Sequence, residues 1–289
     1  MKDVYTLANI SKQALHQYQG VKEKEGAYYE LLLLKVDEIR SVHPKIGARK
    51  MYGMIAPEKI GRDKFERLLL KSGYRVYYPK NYIRTTYSVK CYQYKNLIKG
   101  IELTGINQVW QSDITYFWSG NRFYYLVFII DVYSRRIVGY KASTTLETTA
   151  NLAALKMAFK ARRMKEYEGL IHHSDMGSQY ASNAYTTLLG SNKCTISMCG
   201  AAYENAYAER VNGIIKNEYM ANWTFSNLGD IEKGLKKAVN AYNTSRPHNN
   251  LENNFAPVRF EEYVLSLCAE KRPKVILYTE GQKREVKDE

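Results

Sequence analysis

A chain of 289 residues with 45% hydrophobic and 25% charged side chains is globular in composition, and it is long enough for one sizeable core with a smaller domain or arms. Its 43 Lys and Arg against 29 Asp and Glu leave a net charge of +14, which favours a polyanionic partner, most often nucleic acid. No run reaches membrane-spanning length, the N-terminus lacks an apolar signal segment, and Cys91, Cys194, Cys199 and Cys268 form no CxxC pair or zinc-type cluster, so a reduced cytoplasmic setting is expected.

Residues 1–70 are expected to be helical. "AYYELLLLKVDEIRSVH" (27–43) has helical apolar spacing, "HPKIGARKMYGMI" reads as a turn, and "IGRDKFERLLLKSG" reads as a second short helix closed by Gly73. The second helix carries Arg62, Lys64 and Arg67, which suits a helix-turn-helix reader of DNA; an ordinary helical hairpin with solvated charges fits equally. The next stretch, 71–101, holds Lys71, Arg75, Lys80, Arg84, Lys90, Lys95 and Lys99 among seven tyrosines, with no Asp or Glu. Cations interleaved with rings favour a phosphate backbone and its bases, so this reads as a basic arm with Arg75, Lys80 and Arg84 on DNA.

From residue 108 the pattern turns to strands. "QVWQSDITYFW", "RFYYLVFIIDVYS" and "RRIVGYKAS" read as an antiparallel meander, with "YYLVFII" (124–130) buried. A helix follows in "LETTANLAALKMAFKARRM", then a short strand "GLIHHSD", a helix "ASNAYTTLLG", a strand "KCTISM", a polar helix "YENAYAERVNGIIKNEYM" and a further helix over 228–243. This order predicts an α/β fold, a mixed sheet with helices on its faces. The expected division is a helical DNA-binding region (1–70), a basic tyrosine-rich arm (71–104), a catalytic core (105–265) and a charged C-terminal tail (266–289).

Three carboxylates stand out. Asp113 interrupts the alternation of the first strand, Asp175 ends the fourth, and Glu209 lies in the polar helix. Convergent carboxylates without a Cys/His set make an oxygen-only site suited to Mg2+ or Mn2+. Acidic residues at strand ends also serve as caps or sit in solvent, so spacing alone leaves both readings open. His172 and His173 read as structural rather than as ligands, Trp110 as core, and His248 as a DNA contact or a brace.

"WQSDITY", "LVFIIDVYSRRIVGY", "HHSDMGSQY", "YENAYAERVNGIIKNE" and "YNTSRPHNNL" occur in order, with "AP" at 256–257. Together they closely resemble the integrase-type catalytic core of bacterial insertion-sequence transposases, specifically the second-reading-frame product of the insertion-sequence-three family. The resemblance implies a ribonuclease-H-like fold in which Asp113, Asp175 and Glu209 hold two divalent ions, Mg2+ or Mn2+. It also implies cleavage of element ends and strand transfer. Lys216 falls where the family sets a basic residue against DNA, and Asn212 and Arg210 on the same helix are expected to join it. Expected partners are double-stranded DNA, further copies of the chain on that DNA, and an upstream-frame helix-turn-helix protein or fusion. The alternative is an inactive DNA-binding copy or regulator of transposition; a plain nuclease of this fold is disfavoured by the helical region and basic arm.

The Asp175–Glu209 spacing is slightly shorter than the family's, with the shortening in "SMCGAAYENA", a loop that tolerates such change. Were the polar helix continuous, Lys216 would lie ~20° from Glu209 and Asn205 ~40° away, whereas Glu204 and Glu218 would point ~140° and ~180° away. Glu209 is therefore the expected third carboxylate.

Overall fold

The computed structural model describes residues 11–77, 94–164, 167–200 and 202–278. The chain forms two compact units, 1–79 and 80–289.

The first unit opens with helix α1 (Lys12–Val42), begun by Ser11, whose hydroxyl accepts from the Ala14 amide at 3.0 Å. Helix α1 starts well before residue 27, because "KQALHQYQGVKEKEG" is built of good helix formers that need no apolar stripe. The stretch expected as a turn holds a short helix, α2 (Ala48–Ile55), and α3 (Arg62–Lys71) follows. Helix α2 escapes sequence reading because Gly47 and Gly53 resemble turn residues, while burial of Met51 decides the conformation. Leu32, Val36, Ile46, Met51, Phe65 and Leu69 form the core of this unit.

The second unit is built on a five-stranded sheet. Strands β2 (Val109–Ser119), β3 (Arg122–Asp131) and β4 (Ile137–Ser143) make the expected meander, and β5 (Ile171–Ser174) and β6 (Thr195–Met198) extend it in parallel, giving the order β4-β3-β2-β5-β6. A separate two-stranded ladder joins β1 (Glu102–Leu103) to β7 (Val275–Ile276). Helices α4 (Thr148–Arg162), α5 (Ser178–Ala181) and α6 (Asn183–Ser191) cover one face of the large sheet, over Trp110, Val127, Ile129 and Val138. The other face, with Phe117, Leu126 and Phe128, packs under α7 (Ala206–Ile214) and α8 (Leu228–Thr244). This is the mixed, helix-flanked sheet of a ribonuclease-H-like α/β fold. Gly139 lets α4 sit on β4: a Cβ there would lie 2.2 Å from the Ala154 carbonyl oxygen.

Helix α9 (Pro257–Ser266) is tied to the sheet by buried charge. Arg162 Nη2 meets Glu261 Oε1 at 2.6 Å and Asp131 Oδ2 at 3.2 Å, and Arg136 adds a second cation on Glu261 at 2.5 Å. A buried set like this holds only when every charge is partnered. Beyond α9, residues read as a tail return to the core: β7 pairs with β1, and Leu277 is fully buried beside Ile98 and Leu103. Ile98 is likewise core although it lies in the stretch read as an arm, and Lys99 bonds Glu204 at 2.6 Å.

The polar helix is the main departure from expectation. Residues 202–222 form a 3₁₀ turn (Ala202–Asn205), helix α7, a π turn (Ile215–Tyr219) and another 3₁₀ turn (Met220–Asn222). A π turn inserts an extra residue per turn, which sequence periodicity cannot reveal.

Candidate active site

Strand register brings the two aspartates together. Strands β2 and β5 run parallel, with Ser112 beside Ser174 as the last pair, so Asp113 and Asp175 are the next residues along neighbouring strands. Adjacent strands lie ~4.8 Å apart, and residues in register present side chains to the same face. Alternation puts Asp113 on the face of Gln111 and Phe117, the face covered by α7.

Three bonds fix the start of α7 on β2. Asn205 Nδ2 donates to the Ser112 carbonyl at 2.9 Å, Gln111 Nε2 to the Glu204 carbonyl at 3.4 Å, and the Ala208 amide to Gln111 Oε1 at 3.4 Å. Glu209 follows directly. It is exposed, and its carboxylate takes no hydrogen-bond or ion-pair partner among the described residues. The rival glutamates are engaged elsewhere: Glu204 is buried, bound by Lys99 and by the Gly200 amide at 3.0 Å, and Glu218 takes a two-pronged clamp from Arg246 at 2.7 and 2.8 Å.

Asp175 sits at the mouth of the site. Its Oδ1 accepts from the Gly177 amide at 3.1 Å, and a Cβ on Gly177 would lie 3.0 Å from that same oxygen, which accounts for glycine two positions on.

The electrostatics follow from the crowding. Burial first, then the charges of Asp175 and Glu209, push the Asp113 carboxyl up to about 8, against the opposing Ile114 amide and Lys216. Solvent reaches Asp175 and Glu209, yet the protein wrapped around them raises both carboxyls by desolvation; at Asp175 the Gly177 amide opposes this. Burial lowers the Lys216 ammonium, and Asp113 supports it.

Two of the helix residues expected on DNA, Asn212 and Lys216, bond strand β2. Asn212 is buried and donates from Nδ2 to Asp113 Oδ2 at 2.6 Å. Lys216, in the π turn, donates from Nζ to the Tyr116 carbonyl at 3.3 Å. Asn212 lies three residues after Glu209 on α7, so helical spacing could have marked it as sharing the Glu209 face. Arg210 is exposed.

In the N-terminal unit, Arg62 is exposed and pairs with neighbouring Asp63 at 3.1 Å, whereas Lys64 is engaged by Glu25 of α1 at 2.6 Å. Arg75 is exposed and lies over the Tyr77 ring at 5.4 Å. Lys80 and Arg84 lie outside the described residues. The histidines are structural in geometry: His172 Nε2 meets the Tyr185 hydroxyl at 2.9 Å and His173 Nδ1 the Ser197 hydroxyl at 2.8 Å, and burial lowers them to about 3 and about 4.

The three carboxylates offer only hard oxygen donors, and the repulsion that raises Asp113 is what a divalent cation relieves, so the donor chemistry fits such an ion. Among the described residues, no three His, Cys, Asp or Glu side chains are gathered tightly enough to hold an ion. No helix among them is long and apolar enough to cross a membrane.

Comparison with known proteins identifies the family. A family model described as integrase core domain matches residues 104–203, and a second of the same description matches 192–255. The chain is 34% identical to the transposase for insertion sequence element IS629 of Shigella sonnei over 71% of its own length and 70% of the relative's. It is 32% identical to an uncharacterized 31 kDa protein of insertion element IS600, also of Shigella sonnei, over 88% and 94%. Among solved structures, the HTLV-2 integrase catalytic core domain in complex with magnesium matches 58% of this chain and 99% of its own, at 19% identity and a TM-score of 0.42. The chain belongs to the insertion-sequence transposases with an integrase core, of the insertion-sequence-three family.

Proposed function

We propose that this transposase cuts the ends of its element and joins the freed 3′-hydroxyl to target DNA by metal-dependent phosphodiester chemistry at Asp113, Asp175 and Glu209. The observation that carries this reading is the β2–β5 register, which sets Asp113 beside Asp175 while the charge of Glu209 reaches Asp113 from the covering helix. Two Mg2+ or Mn2+ ions held by these carboxylates would activate the attacking oxygen and stabilise the leaving one.

The chain's own residues supply position and charge. Asn212 holds Oδ2 of Asp113 and so orients a carboxylate that would help hold the ion. Lys216, reaching over the same strand, offers its ammonium to the phosphate under attack, and exposed Arg210 extends the grip along the backbone. Water is the nucleophile in cleavage and the 3′-hydroxyl in joining, so no covalent protein intermediate is required. Arg62, Lys64, Arg75, Lys80 and Arg84 add sequence-independent phosphate contacts; for Lys64 this requires exchange of its Glu25 partner. The protein acts as a homo-oligomer on DNA, with or without an upstream-frame partner.

Labelled duplexes carrying the element ends, incubated with Mg2+, should yield nicked and joined products, and chelator should abolish both. Glu209→Gln keeps the shape and removes the charge, so DNA binding should persist while both products disappear. A wild-type chain that binds the ends yet never cuts them would identify an inactive copy or regulator. Cutting in chelator would refute the metal account.

A further inference from the structure

Behind the two aspartates, one row of the sheet is polar where a core would be apolar. Gln111, His173 and Ser197 stand in register across β2, β5 and β6, and all three are fully buried. Gln111 and His173 lie two residues before Asp113 and Asp175, so alternation sets the row on the aspartates' face. Buried polar groups persist when they are bonded, and the partners here come from outside the sheet. Ser197 Oγ accepts from the Leu97 amide at 2.9 Å and meets His173 Nδ1 at 2.8 Å. Gln111 bonds the Glu204 carbonyl and the Ala208 amide. The charge and the carbonyl of Glu204 oppose the burial that lowers His173, so both lie near that ring.

Glu204 is thereby gripped at both ends. Its carbonyl rests on the polar row, while its buried carboxylate takes Lys99 Nζ at 2.6 Å and the Gly200 amide at 3.0 Å. Burial opposes the charge, but Lys99 and the Gly200 amide outweigh it and hold the carboxyl below its ordinary value. Lys99 stands on fixed backbone: Ile98 beside it is fully buried, and the Lys95 carbonyl accepts from the Met198 amide at 3.3 Å. A buried carboxylate is a poor source of stability, since well-packed apolar side chains often do as well; its directional bonds fix geometry instead.

The geometry in need of fixing is that of Glu209. It lies five residues on and takes no partner of its own among the described residues. Such a carboxylate is only as well placed as the backbone that carries it. Five helical residues span only ~8 Å, so a shift at the start of α7 is passed straight to Glu209. We propose that Glu204 is a positioning residue, which locks the start of α7 to the polar row and so sets the reach of Glu209 to the aspartates. The inference rests on the transposase reading and deepens it, with Lys99 acting through Glu204.

The test uses the full chain, and its first readout needs no chemistry. In metal-free protein, Glu204→Gln should speed amide hydrogen exchange over 202–212 at least about tenfold while β2 and β3 stay as protected as in the wild type. In single-turnover cleavage at saturating end DNA, Glu204→Gln and Lys99→Met should each be at least about tenfold slow, with DNA affinity in chelator unchanged. The double variant should be no slower than the slower single, because both substitutions break one bond. Lys99→Arg keeps a cation on Glu204 and should recover most of the rate.

Unchanged exchange over 202–212 in folded Glu204→Gln overturns the proposal. So does faster exchange spread evenly over the sheet, because Glu204 then merely braces the fold. Glu204→Gln that never cuts, beside Lys99→Met at the wild-type rate, overturns it as well, since Glu204 is then itself a ligand. Should Glu204→Gln not fold, Lys99→Met and Lys99→Arg alter a side chain that is 57% exposed, and equal exchange over 202–212 in both overturns it. A wild type that binds the ends and never cuts sinks the transposase reading alone, and the exchange result then decides the role of Glu204 by itself.

Discussion

Asp113 should be a stability liability in the metal-free protein, and Asp113→Asn isolates it. The folded carboxyl stands at about 8 against 3.8 for the free side chain. At about 1.4 kcal/mol per tenfold change, ionising it in place costs at most roughly 6 kcal/mol. The side chain is only half-buried and the site is open to water, so about 2–3 kcal/mol is the expected part of that ceiling. Because the folded carboxyl titrates above its unfolded value, its contribution to stability is full below about pH 4 and is lost as pH rises through about 8. Asparagine has no such dependence and can still accept from Asn212. In chelator the melting temperature of Asp113→Asn should therefore match the wild type near pH 4 and exceed it by several degrees at pH 8, at about 2–4 °C per kcal/mol for a domain this size. Mg2+ should narrow the gap by stabilising the wild type alone. A difference that stays flat from pH 4 to 8, or equal Mg2+ stabilisation of both proteins, would refute the picture of three crowded carboxylates relieved by a cation.

Glu218→Gln should leave the folded enzyme's cleavage largely intact while lowering stability by about 3 kcal/mol, since Arg246 then keeps a buried charge without its clamp; thermal melts alongside single-turnover cleavage check both halves. Replacing Arg75, Lys80 and Arg84 with alanine should weaken DNA binding and flatten the salt dependence of the affinity, because fewer counterions are released. An unchanged slope would make that stretch a solvated linker.

The sheet was legible because its strands obey a two-residue rhythm, whereas the choice of carboxylates came from the family resemblance, spacing alone leaving it open. Asp113 is conspicuous inside an alternating strand, and the apolar run 124–130 could only be a buried one. The connections that depend on distant partners were not legible. The β1–β7 pairing is two residues long on each side and leaves no pattern of its own, so residues 275–277 read as tail. Asn212 is neutral and unremarkable on its helix, and its bond to Asp113 spans 99 positions. The break of the polar helix into 3₁₀, α and π segments is imposed by its anchors, Gln111 and Asn205 at one end and the Glu218–Arg246 clamp at the other, whereas a helical wheel assumes one uniform pitch. Glu209 is chosen on the family resemblance as well as on that wheel, and the structure adds a different support: its two rivals are already engaged.

Strand β5 is four residues long, and its ladder with β2 ends one step before the aspartates. The spacing of the two aspartates is thus stored in backbone register rather than in side-chain contacts. Inserting or deleting one residue within 171–174 would slide Asp175 by ~3.3 Å and flip it to the far side of the sheet. The same change in the loop leading into β5, or in the loop after β6, leaves the register untouched. Length variation among copies of such an element is therefore expected to gather on either side of this strand and to stop at its borders, and the compressed loop before Glu209 lies on the permissive side.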